Sequence, residues 1–206
     1  MSFELWIAFF IASLALITVP GPTVMLVVSY ALNHGKASGW MTVPGVTLGD
    51  FTAMTASLLG AGAILAASAT MFTALKLAGA VYLIWLGIKL WRAEPKLDNL
   101  QNTSSRTSKI AIFWNAYIVT ALNPKGIVFF IAFVPQFIDS QKPVFQQFVI
   151  LEATFLVLAA ANVAMWAILA GHLKSRFKRP ATLKTVNRTG ASFLIGAGLL
   201  TAAIKQ

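Results

Sequence analysis

The residues of this chain best suited to chemistry are one carboxylate, one amine and two proline-centred interruptions of apolar runs. Asp50 lies in GVTLGDFTAMTAS (45–57), about 10 residues past Trp40 and so roughly 15 Å from it along a helix. A carboxylate at that depth is costly to keep ionised; it works by alternating between a protonated state and pairing with a cation. Thr47, Met54 and Ser57 share its helix face by their spacing and read as a stripe along a pathway. TVPGPTVMLVVSY (18–30) sets Pro20, Gly21 and Pro22 ahead of Thr23, and TALNPKGIVFFIAF (120–133) repeats the pattern with Asn123, Pro124, Lys125 and Gly126. A proline removes a backbone donor and frees the carbonyl one turn before it. A half-helix that starts there exposes free N–H groups and a positive dipole end, which suits a carboxylate. One proline alone reads first as a packing kink; two at equivalent depth read as a site. The parts thus accommodate a zwitterion. Half-helix ends at Gly21–Thr23 and Gly126 would meet its carboxylate and Asp50 its ammonium, while Lys125 would neutralise Asp50 or attract the carboxylate.

The remaining polar groups within apolar runs are weaker candidates. Asn115, Tyr117 and Thr120 add donors near the second interruption, Asn162 lies near the middle of its run, and Glu152 fits an interfacial position nearly as well as a cavity. His34 and His172 read as caps or solvated groups at helix ends. The chain has no cysteine, which removes disulfides and thiolate metal sites, so a transition-metal site is not expected. No HExxH, GxSxG or phosphate-binding loop is present, and no enzyme or cofactor is called for.

What must position these residues is a set of membrane helices. The chain has 206 residues, 58% hydrophobic and 11% charged, too few polar groups to cover a soluble fold. Apolar runs long enough to cross a bilayer, roughly 20 residues each, fall at about 4–30, 40–67, 70–91, 111–138, 145–171 and 189–204. The expected fold is an all-α integral membrane protein of six transmembrane helices in a single domain, with helices one and four broken at proline. Repeat one covers about 1–92, a polar loop follows at 93–110, and repeat two covers about 111–206. GAVYLIWLG (79–87) aligns without gaps to GASFLIGAG (190–198), and Pro20 aligns with Pro124. Three spans per repeat invert the second half, as in many secondary transporters. The glycines Gly79, Gly87, Gly190 and Gly198 read as close helix packing, and Trp6, Trp40, Trp91 and Trp114 as interfacial anchors. The net charge of +10 reports topology. With both termini outside, 12 of the 16 lysines and arginines fall on the cytoplasmic side, as the positive-inside rule requires. No nucleic-acid partner is implied; the partner is the lipid bilayer.

PGP at 20–22, Gly49-Asp50, AGAVYLIWLGIKLWR (78–92), LNPKGIVFFIAFVPQF (122–137) and the Gly-rich last helix resemble the LysE/RhtB family of bacterial amino-acid exporters over essentially the whole chain. The resemblance implies an inner-membrane protein that exports amino acids or close derivatives by proton antiport, with protons as a second partner and a homo-oligomer as its assembly. It also implies that the PGP interruption, Asp50 and Asn123-Pro124-Lys125 are the functional positions. Its substrates range from lysine and arginine to homoserine, threonine and leucine. Among these the residues favour a neutral amino acid, because a basic one would want a second midplane carboxylate and Glu152 is the only other acid in the spans. Two alternatives stay open at this point: an exporter of another small solute or ion on the same scaffold, and a non-transporting membrane scaffold whose interruptions are packing kinks.

Overall fold

A computed structural model describes residues 1–18, 20–92, 108–139 and 141–172, with scattered positions between 184 and 199. Every element among the described residues is helical. The loop expected at 93–110 lies outside them up to residue 107, and the span expected at 189–204 is described only in part.

Helix α1 (Phe3–Thr18) starts where the Ser2 hydroxyl accepts the Leu5 N–H, with Glu4 in its first turn, and it stops before Pro20. Helix α2 (Pro22–His34) opens with proline at its first position, where the missing N–H is no loss. It ends at Gly35, whose φ of +84° lies in the left-handed region that favours glycine. That turn feeds directly into the long α3 (Lys36–Ala67), which runs on through Pro44. Helix α4 (Ala69–Arg92) begins with the Ser68 hydroxyl accepting the Met71 N–H. Helix α5 (Lys109–Ala121) is capped by Ser108, and α6 (Pro124–Ala132) by Asn123. A 3-10 turn (Val134–Phe137) and a short loop lead to α7 (Val144–His172).

The axes of α1 and α2 differ by 52° and those of α5 and α6 by 43°. Residues Val144–Ala170 are long and apolar enough to cross a membrane alone, and each bent pair passes as one further span. Helices α3 and α4, of 32 and 24 residues, are long enough for a bilayer core of about 30 Å at 1.5 Å per residue.

Two hydrophobic clusters flank the α1–α2 and α5–α6 junctions. In one, Phe129, Phe130, Phe133 and Phe137 pack with Phe9 of α1 and Phe155 of α7, the Phe130 and Phe155 rings meeting edge-on at 4.9 Å. In the other, valines of α2 pack with Val46 of α3 and with Val163, Trp166 and Ala167 of α7. Glycines set the closest approaches. A Cβ on Gly45 would collide with the Phe113 carbonyl, and one on Gly49 would lie 2.8 Å from both Thr120 Cβ and the Tyr117 carbonyl, so α3 and α5 pack backbone to backbone. Gly87 of α4 faces Ala191 and Ile195, while Gly198 faces Ala80 and Ile84 of α4.

Candidate functional site

Prolines 20 and 124 each leave one carbonyl without its helical donor, and the two junctions resolve this differently. At the second, the Thr120 carbonyl that Pro124 would leave unserved accepts the Asn123 N–H at 3.0 Å, and the Asn123 side chain accepts the Lys125 N–H at 3.1 Å. That junction satisfies itself locally. At the first, the Leu16 carbonyl accepts from Lys125 Nζ at 2.9 Å, and the Ile17 carbonyl from Asn162 Nδ2 at 3.0 Å. Both donors come from across the fold. Helix α1 has no basic residue in its last turn, so Lys125 brings the positive charge that a helix C-terminus favours.

The start of α2 is open by contrast. Its N-cap is Gly21, which makes no side-chain cap bond. Thr23, in the first turn, shares a hydrogen bond with Thr120 Oγ1 at 3.2 Å and accepts from Asn123 Nδ2 at 3.3 Å. The α5–α6 junction thus leans on the first turn of α2, and Gly49 allows Thr120 to come close enough for this.

Where the junctions meet there is a cavity of about 50 Å³, lined by Leu16 and Ile17 from α1, Gly21, Thr23 and Val24 around the start of α2, Val46 and Asp50 from α3, Asn123, Lys125 and Gly126 from the second junction, and Phe155, Ala159, Asn162 and Val163 from α7. A buried water needs on the order of 10–15 Å³, so this volume holds a few waters and not an amino acid. Asp50 and Lys125 are the titratable residues on its wall, and they interact electrostatically across it.

Of the positions singled out in the sequence, Gly21, Thr23, Asp50, Asn123, Lys125 and Gly126 come together here. The prolines do not line the cavity: Pro20 is buried outside its wall, and Pro22 and Pro124 are exposed. The expected stripe on α3 does not follow Asp50 either. Met54 is fully buried in the phenylalanine-rich cluster, and Ser57 borders a separate apolar groove of about 540 Å³ between α3 and the α5–α6 pair. Asn115 is exposed and donates to the Tyr30 hydroxyl at 2.8 Å, and Glu152 accepts from Thr55 Oγ1 at 2.6 Å, neither of them on the cavity wall. Asn162 does line it. The α1 carbonyls were not foreseen as participants, although the spacing from Pro20 to Leu16 is the signal that finds one of them.

The sequence model described as LysE type translocator matches residues 14–203. A homoserine/homoserine lactone efflux protein of Salmonella typhimurium is 34% identical over 204 residues, 98% of each chain. An uncharacterized membrane protein of Vibrio cholerae is 31% identical over the full length of both chains. A leucine efflux protein of Klebsiella pneumoniae is 28% identical over 190 residues, 92% of this chain and 88% of that one. No solved structure matches.

Proposed function

This chain belongs to the LysE type translocators, a family of membrane transporters and not of enzymes, and from that membership we propose that it exports a neutral amino acid or close derivative by proton antiport. Homoserine, threonine and leucine are the first substrates to try, given the efflux proteins it is similar to. The observation that carries this reading is the cavity itself. Two proline junctions from opposite halves of the chain, an acid and an amine converge on one small, largely apolar space inside the bundle.

The α-carboxylate of the substrate is assigned to the uncapped start of α2, where the Thr23 and Val24 N–H groups lie at the positive dipole end. The start of α6 is a poorer choice because the Asn123 side chain already accepts there. The substrate ammonium is assigned to Asp50. A cavity of about 50 Å³ must widen to admit such a molecule, so the site opens to one side of the membrane and then the other. Protonation of Asp50 from outside releases the ammonium, and deprotonation inside restores the site.

Two inverted three-helix repeats, with spans one and four broken at Pro20 and Pro124, account for the packing. In the gap-free alignment Gly87 is the equivalent of Gly198, Ala80 of Ala191 and Ile84 of Ile195. Gly87 faces Ala191 and Ile195; its equivalent faces Ala80 and Ile84. Such an exchange of contacts is the mark of a two-fold relation. The positions equivalent through Pro20 and Pro124 also include Gly21 and Lys125, and a Cβ on Gly21 would lie 3.5 Å from Lys125 Nζ. The molecule lies in the bacterial inner membrane with both termini outside, by its distribution of positive charge, and assembles as a homo-oligomer.

The test is transport by purified protein in vesicles with an imposed pH gradient. Wild type is expected to move at least one of the three amino acids against its gradient, and Asp50→Asn to insert and fold yet lose proton-driven movement. Normal coupled transport by that variant would refute the role of Asp50.

A further inference from the structure

Lys125 is held from two directions at once. Its Nζ donates to the Leu16 carbonyl at 2.9 Å, while its charge is attracted to Asp50 across the cavity. Its stem lies over Gly21, where a Cβ would stand 3.6 Å from Cε and 3.9 Å from Cδ. One amine on α6 thus bonds the end of α1, lies over the start of α2 and shares the cavity wall with the carboxylate of α3. Every cavity residue facing Asp50 from α2, α6 and α7, Lys125 apart, is neutral. Among the described residues, the other titratable groups hydrogen-bonded to α3 lie further along it, Tyr117 of α5 on Thr52 and Glu152 of α7 on Thr55.

We propose that Lys125 is a latch that makes exchange obligatory: while Asp50 is ionised and without substrate, the amine holds α1, α3 and α6 together, and only a cation delivered to Asp50 lets them part. That cation is either a proton from the aqueous phase or the ammonium of the substrate. Both remove the attraction that keeps Lys125 between Asp50 and Leu16. The site then changes its side of access only when Asp50 carries one or the other, which is the condition for antiport. An empty, ionised site that could also change sides would let the two gradients run down independently. Ligands shift an equilibrium only through what they do differently to its two states, and here the difference is whether the amine still has a carboxylate to hold.

This inference rests on the exporter reading, and one experiment separates their failures. Vesicles containing a trapped pH-sensitive dye and radiolabelled homoserine, threonine or leucine report protons moved per amino acid moved, a ratio that weakened binding alone leaves unchanged. Wild type is expected to show a fixed ratio and Lys125→Arg to keep it. Lys125→Gln is expected to shift it by about fivefold or more, upward under an imposed pH gradient alone and downward under an amino-acid gradient alone, the lower end of usual coupling between sites. Gly21→Val provides a second route should Lys125→Gln fail to fold, because the backbone there, at φ −111° and ψ −169°, is open to any residue and the added Cβ would stand 3.5 Å from the amine. The same shifts are expected there. A wild-type ratio in either folded variant overturns the latch. Wild-type protein that moves none of homoserine, threonine and leucine, or moves them without protons, overturns the exporter reading and the latch with it.

Discussion

Leu16 shows at the scale of one residue how an apolar bundle deals with a proline. Its carbonyl lies four positions before Pro20 and loses its usual donor. In lipid such a group costs several kcal/mol if left alone, and Lys125 supplies the missing bond from 109 positions away in the chain. Asn162 does the same for Ile17. Asn162 is 8% exposed, so Asn162→Leu removes the donor without adding water, and the stranded carbonyl is expected to cost about 1–3 kcal/mol. The measurement is thermal unfolding in detergent, with an unchanged midpoint counting against that bond. The freed carbonyl could be read from the sequence, because proline chemistry is local. The identity of its partner could not, since Lys125 and Asn162 carry no mark of which backbone atom they reach.

Among elements, the pairing of α3 with α5 is the closest approach near the cavity. Gly49 precedes Asp50, and a side chain there would meet Thr120 and Tyr117 at 2.8 Å. Gly49→Val is expected to force α5 away, at about 1–3 kcal/mol for overpacking, and to lower transport by pulling Thr120 off Thr23. A thermal midpoint and transport rate equal to wild type would contradict this role for Gly49. The Gly49-Asp50 pair was legible as a motif, and so were the prolines that open α2 and α6. The facing of α3 was not: Thr47, Met54 and Ser57 share a face with Asp50 by spacing, but Met54 is packed among phenylalanines. A helix apolar on nearly all sides has no polar stripe to reveal which side meets the cavity and which the core.

For the whole molecule, the proposed two-fold relation predicts which positions lie together across the bundle. The chain has no cysteine, so paired substitutions give a clean reading. Gly87→Cys with Ile195→Cys, and Ile84→Cys with Gly198→Cys, are expected to form disulfides under mild oxidation. Gly87→Cys with Gly198→Cys is not, because each glycine faces other residues, Gly87 facing Ile195 and Gly198 facing Ile84. Cross-linking of the mismatched pair alone would rule out the arrangement. The recurrence of glycines in register at 79–87 and 190–198 was legible. The difference between the two proline junctions was not, since it lies in hydrogen bonds and not in residue types. The second junction recaptures its own carbonyl through the next N–H, whereas the first is served by side chains from α6 and α7. One joint is therefore a stiff elbow and the other a knee held by braces, so in the proposed export cycle rocking of the bundle would start in the amino-terminal half, and its inward and outward swings would not be mirror images.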